Sequence, residues 1–189
     1  FQLKTNSMNH PDVVRFVERI AAVCNAAGAT FTVAEIGGDD SDPLMKANTA
    51  GNARLNSAYS FDFLYAEALT PALVVKTLGQ WTGAADAQGR AEGWPSWAFE
   101  NHDAPRHVSR WVEAADRPAY ARMTMALLFA LRGNPFLYQG QELGLTQDEI
   151  PFELLQDPEA IANWPLTLGR DGVRTPMPWQ ADAAQGGFT

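Results

Sequence analysis

Apolar residues recur at helical spacing in three long stretches of the chain and in a denser pattern in four short ones. In the first long stretch, residues 11–27, the apolar positions fall on one face and the charged positions on the other. Gly28 follows as a stop signal. The pattern therefore predicts a helix over 11–27, with Cys24, the single cysteine, as a small buried hydrophobe on its apolar face.

Two further helices are predicted downstream. Thr70 and Pro71 supply a cap and a first-turn proline for a helix that ends at Gly79. Residues 117–132 are almost wholly apolar, and a helix that is apolar all round is expected to be buried.

The four short apolar runs predict strands, and polar or glycine-rich stretches separate them from the helices. Because strands alternate with helical crossovers roughly every 30–40 residues, the order fits consecutive βαβ units in a parallel sheet. Residues 48–57 are predicted to form a loop and residues 82–93 a linker. The predicted strands are 30–35, 58–61, 96–101 and 136–138.

Two α/β architectures fit this alternation. Four βα units make half of an eightfold barrel, whose complete form usually needs about 250 residues, whereas this chain has 189. A flat doubly wound sheet fits the alternation as well. However, the Gly-rich phosphate turn that a nucleotide-binding sheet of that kind carries is absent.

Composition narrows the classes of partner. With 46% apolar and 19% charged residues, the chain is typical of one globular domain with a sizeable core. Its net charge of −8 argues against a nucleic-acid partner, and no apolar run is long enough to span a membrane. No signal peptide is visible, which favours a cytoplasmic location, and the chain opens on Phe1 rather than Met.

Two carboxylates, Glu35 and Asp103, each come at the end of a predicted strand. In a βα barrel the carboxyl ends of the strands line the active site, so two acids there indicate acid/base or electrostatic work on a bond that needs protonation to break. The alternative for Glu35 is an exposed acid at a strand end. The alternative for Asp103 is a helix cap with a nearby salt bridge.

The second of these acids lies in a dense polar segment. Asn101, His102, Asp103 and Arg106 fall within six positions. A carboxylate near Arg106 is expected to stay ionised at neutral pH and could stabilise a cationic transition state or bind sugar hydroxyls. No metal site is expected, since His102 and His107 lack a third partner at ligand spacing. Nor does a serine stand in a nucleophile elbow.

Four segments of the chain resemble the α-amylase superfamily, glycoside hydrolase family 13. They read VAEIG, FENHDAPR, FLYQGQELG and RDGVRTPMPW and occupy residues 33–37, 99–106, 136–144 and 170–179. They stand in the family's order and are spread over most of the chain. The last is typical of the α-glucosidase and oligo-1,6-glucosidase group.

The resemblance implies a (β/α)8 barrel of which this chain is the C-terminal half, about strands five to eight. It implies a retaining mechanism on α-glucosidic bonds of small oligosaccharides or disaccharides, with no metal or organic cofactor. Glu35 would be the general acid/base and Asp103 the transition-state stabiliser. His102 and Arg106 would be substrate-binding residues.

The family's nucleophile is an aspartate two residues after an arginine, at the end of barrel strand four. No such segment precedes Glu35, and residues 1–11 look like the stretch that follows strand four. The resemblance therefore implies that the nucleophile, the first half of the barrel and the C-terminal β-domain lie outside this chain. The chain alone is expected to be inactive.

Two other readings stay open. Family members that transfer glucose or isomerise sucrose or trehalose share the same catalytic residues. A non-catalytic family-13-like domain can also serve as a protein partner, as in the heavy chains of some amino-acid transporters. The joint presence of Glu35, His102 and Asp103 favours an enzyme over the second reading.

Overall fold

The computed structural model describes residues 10–28, 31–37, 41–51, 53–81, 93–167 and 169–188. Helices and strands alternate through most of this part of the chain. In chain order the elements are α1 (Val13–Ala26), β1 (Val33–Glu35), α2 (Ser41–Thr49), β2 (Ser57–Ser60), α3 (Pro71–Trp81), β3 (Pro95–Trp97), α4 (His107–Trp111), α5 (Arg117–Ala130), β4 (Asn134–Pro135) and α6 (Pro158–Asn163). Short 3-10 turns occur at Ala114–Asp116, Phe152–Leu154, Asp171–Val173 and Ala184–Gly187.

The four strands form one parallel sheet in the order β1-β2-β3-β4. The predicted parallel pairing is therefore confirmed. Because spatial order follows chain order, the described sheet has no reversal of the kind that defines a doubly wound fold. Its winding is the one that a barrel requires.

A row of small polar side chains crosses the sheet at its buried positions. Ser57 Oγ donates to the carbonyl oxygen of Trp94 over 2.7 Å and lies 2.6 Å from Ser96 Oγ. Asn134 Nδ2 donates to Ser96 Oγ over 3.4 Å. Ser57 and Ser96 are fully buried, so these bonds satisfy hydroxyls that would otherwise lose water without compensation.

Trp97 is the centre of the aromatic core beside the sheet. Its ring packs edge-to-face on Phe63 and Trp81, with centroids 5.5 and 6.3 Å away, and its Nε1 donates to the carbonyl oxygen of Arg132 over 2.7 Å. Gly133 sits against this indole at φ +142°, where a Cβ would lie 2.5 Å from Nε1. Only glycine fits there without displacing the tryptophan.

Two predicted helices are confirmed with small shifts at their ends. The first is α1. The second, α3, starts as predicted, because the Thr70 hydroxyl accepts a hydrogen bond from the Leu73 backbone N–H over 3.1 Å. It runs past Gly79 to Trp81, whose buried ring holds the last turn against the core.

Other expectations need correction. The predicted loop over 48–57 begins inside α2, a helix whose weak apolar face gave no periodic signal. Helix α5 is not buried all round, since Phe129 is 60% exposed. Cys24 is half-buried rather than buried. Strands β1 and β3 are shorter than predicted, β2 is shifted by one residue, and β4 lies just before the predicted strand 136–138. The predicted linker lies almost wholly outside the described residues.

The chain divides into two compact units, and we describe each by itself. The first comprises Phe1–Phe63, Leu69–Ala98 and Leu131–Phe136 and contains the whole sheet. The second comprises Leu64–Ala68, Phe99–Ala130 and Leu137–Thr189. In the described parts of both, no helix has the length and apolar character needed to cross a membrane.

Candidate active site

Glu35 is the last residue of β1 and lies at the carboxyl end of the sheet, as predicted. It pairs in register with Tyr59 of β2 and is exposed. Its surroundings form a hollow of about 600 Å³ that is also lined by apolar side chains of α1, including Val17 and Ile20. A carboxylate in this position can reach a molecule that enters the hollow.

Asp103 lies at the tip of a loop that follows β3 in the chain; we call residues 99–107 the Asp103 loop. Asn101 shapes the tip, because its Oδ1 accepts hydrogen bonds from the backbone N–H groups of Asp103 and Ala104 over 2.8 and 2.9 Å. This is an Asx turn, the local motif for which asparagine is favoured. The side chain of Asp103 is 37% exposed and that of His102 61%, so both can be reached from solvent.

Two arginines from a distant segment bind the Asp103 carboxylate. Its Oδ1 accepts hydrogen bonds from Arg174 Nη2 over 2.9 Å and from Arg170 Nη1 over 3.3 Å. Its Oδ2 lies 3.2 Å from His102 Nε2. The carboxylate is therefore held between two guanidinium groups and the His102 ring.

Arg170 is itself held by a second acid, Asp157. The Nε and Nη2 groups of Arg170 donate to the two oxygens of Asp157 over 2.9 and 3.0 Å, in the bidentate geometry that suits a guanidinium. Hydrogen bonding to Asp157 and then to Asp103 raises the pKa of Arg170, and hydrogen bonding to Arg170 holds the pKa of Asp157 far below its usual range. Arg170 thus links two carboxylates.

A buried ionic cluster lies at the base of the Asp103 loop. Glu100 is 1% exposed, and its Oε1 accepts a hydrogen bond from Arg106 Nη1 over 2.7 Å. Its Oε2 accepts from the backbone N–H of His107 over 2.9 Å and lies 2.5 Å from the ring Nδ1. Burial alone would raise the pKa of Glu100, but hydrogen bonds and charge from His107, together with the hydrogen bond from Arg106, outweigh burial and lower it.

The carboxylate partner of Arg106 is Glu100, and Asp103 takes its arginines from elsewhere. The guanidinium of Arg106 is 1% exposed, donates to the carbonyl oxygens of Gln139 and Val173, and lies 4.6 Å from the ring centroid of Tyr138. The structure therefore pairs Arg106 with Glu100, not with Asp103 as the sequence indicated. That Arg106 binds substrate stays a prediction, and its burial among protein groups favours a structural role.

Sequence reasoning did not identify five residues of this arrangement: Glu100, His107, Asp157, Arg170 and Arg174. The two arginines belong to a segment that the resemblance singled out without giving them a role, and no local spacing connects them with Asp103. His107 was considered only as a metal ligand. Among the described residues no group of three or more His, Cys, Asp or Glu side chains could hold a metal ion.

The structure places His102, Asp103 and Arg106 in one compact unit and Glu35 in the other. Within the second unit, His102 and Asp103 are in contact and Arg106 lies beneath them in the loop base. That Glu35 and Asp103 meet in one pocket stays a prediction.

Known proteins resemble this chain along nearly its whole length. The family model of the alpha-amylase catalytic domain matches residues 2–189. A probable alpha-glucosidase of Rhizobium meliloti is 41% identical over 184 residues, which is 96% of this chain and 32% of that protein. An oligo-1,6-glucosidase of a Bacillus species (strain F5) is 28% identical over 96% of this chain and 41% of its own length.

This chain is also similar to a protein of known structure. The crystal structure of the alpha-glucosyl transfer enzyme XgtA superposes with a TM-score of 0.83 at 42% identity, over 95% of this chain and 32% of that one. The chain thus spans about a third of the length of the Rhizobium meliloti protein and of XgtA. It has the parallel α/β fold of the alpha-amylase catalytic domain and belongs to glycoside hydrolase family 13.

Proposed function

We propose that this chain is part of a retaining α-glucosidase that hydrolyses α-glucosidic bonds of short oligosaccharides or sucrose-like disaccharides. It would supply about strands five to eight of the barrel, with β1 to β4 in those places. The observation that carries the proposal is the placement of two reachable carboxylates. Glu35 ends a parallel strand, and Asp103 heads the loop that follows another strand of the same sheet.

Glu35 is the general acid/base in this proposal. In the first step its carboxyl proton passes to the glycosidic oxygen while an aspartate outside residues 1–189 attacks the anomeric carbon. The bond to the leaving sugar breaks, and a glycosyl ester forms. In the second step Glu35 takes a proton from a water molecule that attacks the anomeric carbon and releases the ester.

Asp103 stabilises the positive charge that develops on the sugar in both steps, and His102 binds the same sugar. Arg170 and Arg174 contact Asp103 Oδ1 and the His102 ring lies beside Oδ2, so the sugar would approach the carboxylate and the ring from their exposed side. Charge that is already oriented before the reaction costs little reorganisation when the transition state forms. Arg106 would act through its hydrogen bond to Glu100 at the base of the Asp103 loop.

A second function, glucosyl transfer, has one observation in its favour. XgtA, whose solved structure is 42% identical to this chain, is named as an alpha-glucosyl transfer enzyme. Transfer differs from hydrolysis only in the acceptor, a sugar hydroxyl in place of water, so the roles of Glu35 and Asp103 are unchanged. Product analysis with and without an added sugar acceptor separates the two functions.

A chimera tests the proposal. Residues 2–189 replace the matching segment of the Rhizobium meliloti relative, and hydrolysis of maltose and sucrose is measured with Glu35→Gln and Asp103→Asn. Each change should lower kcat by about 10²–10⁴-fold, the usual contribution of general acid/base groups. Exposed Glu113→Gln and Asp116→Asn are the matched controls and should leave kcat unchanged. A folded chimera that is inactive, or that tolerates Glu35→Gln, would overturn the proposal.

A further inference from the structure

The neck of the Asp103 loop is closed by Arg110, which lies outside the loop in α4. Its Nη2 donates to the carbonyl oxygen of Phe99 over 2.7 Å, and its Nε donates to the carbonyl oxygen of Pro105 over 2.9 Å. One guanidinium therefore connects the backbone at the start of the loop with the backbone near its end. A third bond, from Nη1 to the carbonyl oxygen of Ala66 over 2.6 Å, fixes the guanidinium itself.

Arg110 is held in place from a second side. Trp111 Nε1 donates to the same Ala66 carbonyl oxygen over 2.8 Å, and the Arg110 guanidinium lies 4.9 Å from the Trp111 ring centroid. A guanidinium with a defined plane and three carbonyl partners has little freedom left. The distance between Phe99 and Pro105 is thereby set by a rigid group.

The Glu100 carboxylate also stabilises the neck, because it contacts both Arg106 and His107. His107 connects this cluster to α5, since its Nε2 lies 2.8 Å from Thr124 Oγ1. The Thr124 hydroxyl is in turn 2.9 Å from the carbonyl oxygen of Tyr120, which links the ring to the backbone of α5.

His107 is 1% exposed, and both of its ring nitrogens have a partner, Glu100 on one side and Thr124 on the other. The aromatic rings of Phe99 and Trp111 pack around the imidazole, with centroids 6.2 and 5.5 Å away. The ring is therefore a fixed link between the loop and α5.

We propose that Glu100, His107 and Arg110 are positioning residues, which fix the neck of the Asp103 loop so that Asp103 and His102 are presented at its tip in the orientation that the reaction needs. The inference rests on the proposed function for the identity of the reaction. None of the three side chains has to contact the sugar. Their effect passes through the loop backbone to the Asn101 turn and from there to Asp103.

Two variants in the chimera test the effect on the reaction. Arg110→Lys keeps the charge but loses the planar fork that bridges the two carbonyl oxygens, and His107→Gln removes the ring that links Glu100 to Thr124. A displacement of about 1 Å at the tip can cost about 10²-fold in rate, so kcat should fall by about 10²-fold while KM for maltose changes less than about threefold. Arg122→Lys, a second arginine of the same unit, is the matched control and should change neither constant.

One measurement on residues 1–189 needs no enzymatic activity. Amide hydrogen exchange at Asp103 and Ala104 should be slow in the unaltered chain and at least tenfold faster in Arg110→Lys.

The proposal is overturned if exchange at the tip is unchanged in Arg110→Lys, or if kcat survives while exchange accelerates. Failure of the proposed function gives a different result. In that case exchange at the tip behaves as expected, but the chimera is inactive even with Arg110 and His107 intact.

Discussion

Arg174 contacts Asp103 and the residue before it at the same time. Its Nη2 donates to Asp103 Oδ1 over 2.9 Å, and its Nε donates to the carbonyl oxygen of His102 over 2.8 Å. One planar group therefore fixes a side chain and its adjoining backbone. This two-point contact also explains why the Arg170–Arg174 segment belongs with the site although it lies far away in the sequence.

Replacement of Arg174 by lysine should weaken the site without removing its charge. Lysine offers a point charge and cannot reach both acceptors in one plane. We expect kcat/KM of the chimera to fall about tenfold, which corresponds to the loss of one hydrogen bond to a charged group, worth about 1.5 kcal/mol. The exposed Arg19 changed to lysine is the control. Unchanged kcat/KM in Arg174→Lys would contradict the two-point role.

Replacement of Glu100 by glutamine should destabilise the chain, and the effect should depend on pH. Removal of one partner of a buried ion pair costs about 3 kcal/mol. The folded pKa of Glu100 is lowered from 4.5, so its contribution is present above that value and is lost as the pH falls toward the folded pKa.

Urea unfolding of the two chains at pH 7, 5 and 4 measures this dependence. The difference in free energy of unfolding between wild type and Glu100→Gln should be full at pH 7 and 5 and smaller at pH 4. A difference that is the same at all three values would show that the charge of Glu100 does not contribute to stability.

Two glycine-to-alanine changes should have opposite effects on stability. Gly133→Ala places a methyl group 2.5 Å from Trp97 Nε1 at a positive φ and should cost about 3 kcal/mol. Gly79 is exposed inside α3 with nothing within 4 Å of the new methyl group, so Gly79→Ala should stabilise by about 0.5–1 kcal/mol. Thermal unfolding measures both. A neutral Gly133→Ala would mean that the indole is not fixed as described.

Residues 1–189 alone should hydrolyse neither maltose nor sucrose, because the proposed mechanism places the nucleophilic aspartate outside them. Glucose release by the purified chain is the measurement, and the chimera serves as the positive control. Turnover that copurifies with the chain and disappears in Glu35→Gln would contradict the expectation and would require a nucleophile within this sequence.

Much of the fold could be predicted from local signals. Helix α3 begins where Thr70 caps it, and the alternation of elements led to a parallel sheet. Helix α2 was missed because its residues are mostly polar and have a low apolar contrast. The burial of α5 was overestimated, since composition shows that a helix can be buried but does not show what packs against it.

The candidate site also has a part that local sequence signals predict and a part that depends on tertiary packing. The loop tip could be predicted because its residues are neighbours in the sequence. Glu100 and His107 are seven positions apart, a spacing without a periodic signal, and their burial arises only from tertiary packing. The pairing of Asp103 with arginines 67 and 71 positions later leaves no trace in local sequence.

The loop geometry and the charge partners of Asp103 come from different segments, so truncation should affect them differently. The Asn101 turn and the bridge from Phe99 to Pro105 use groups that lie within a dozen consecutive residues, so a chain cut before Arg170 retains the means to bend the loop. It loses both guanidinium groups that neutralise the Asp103 carboxylate. Shape and charge at this position are therefore encoded in different parts of the polypeptide.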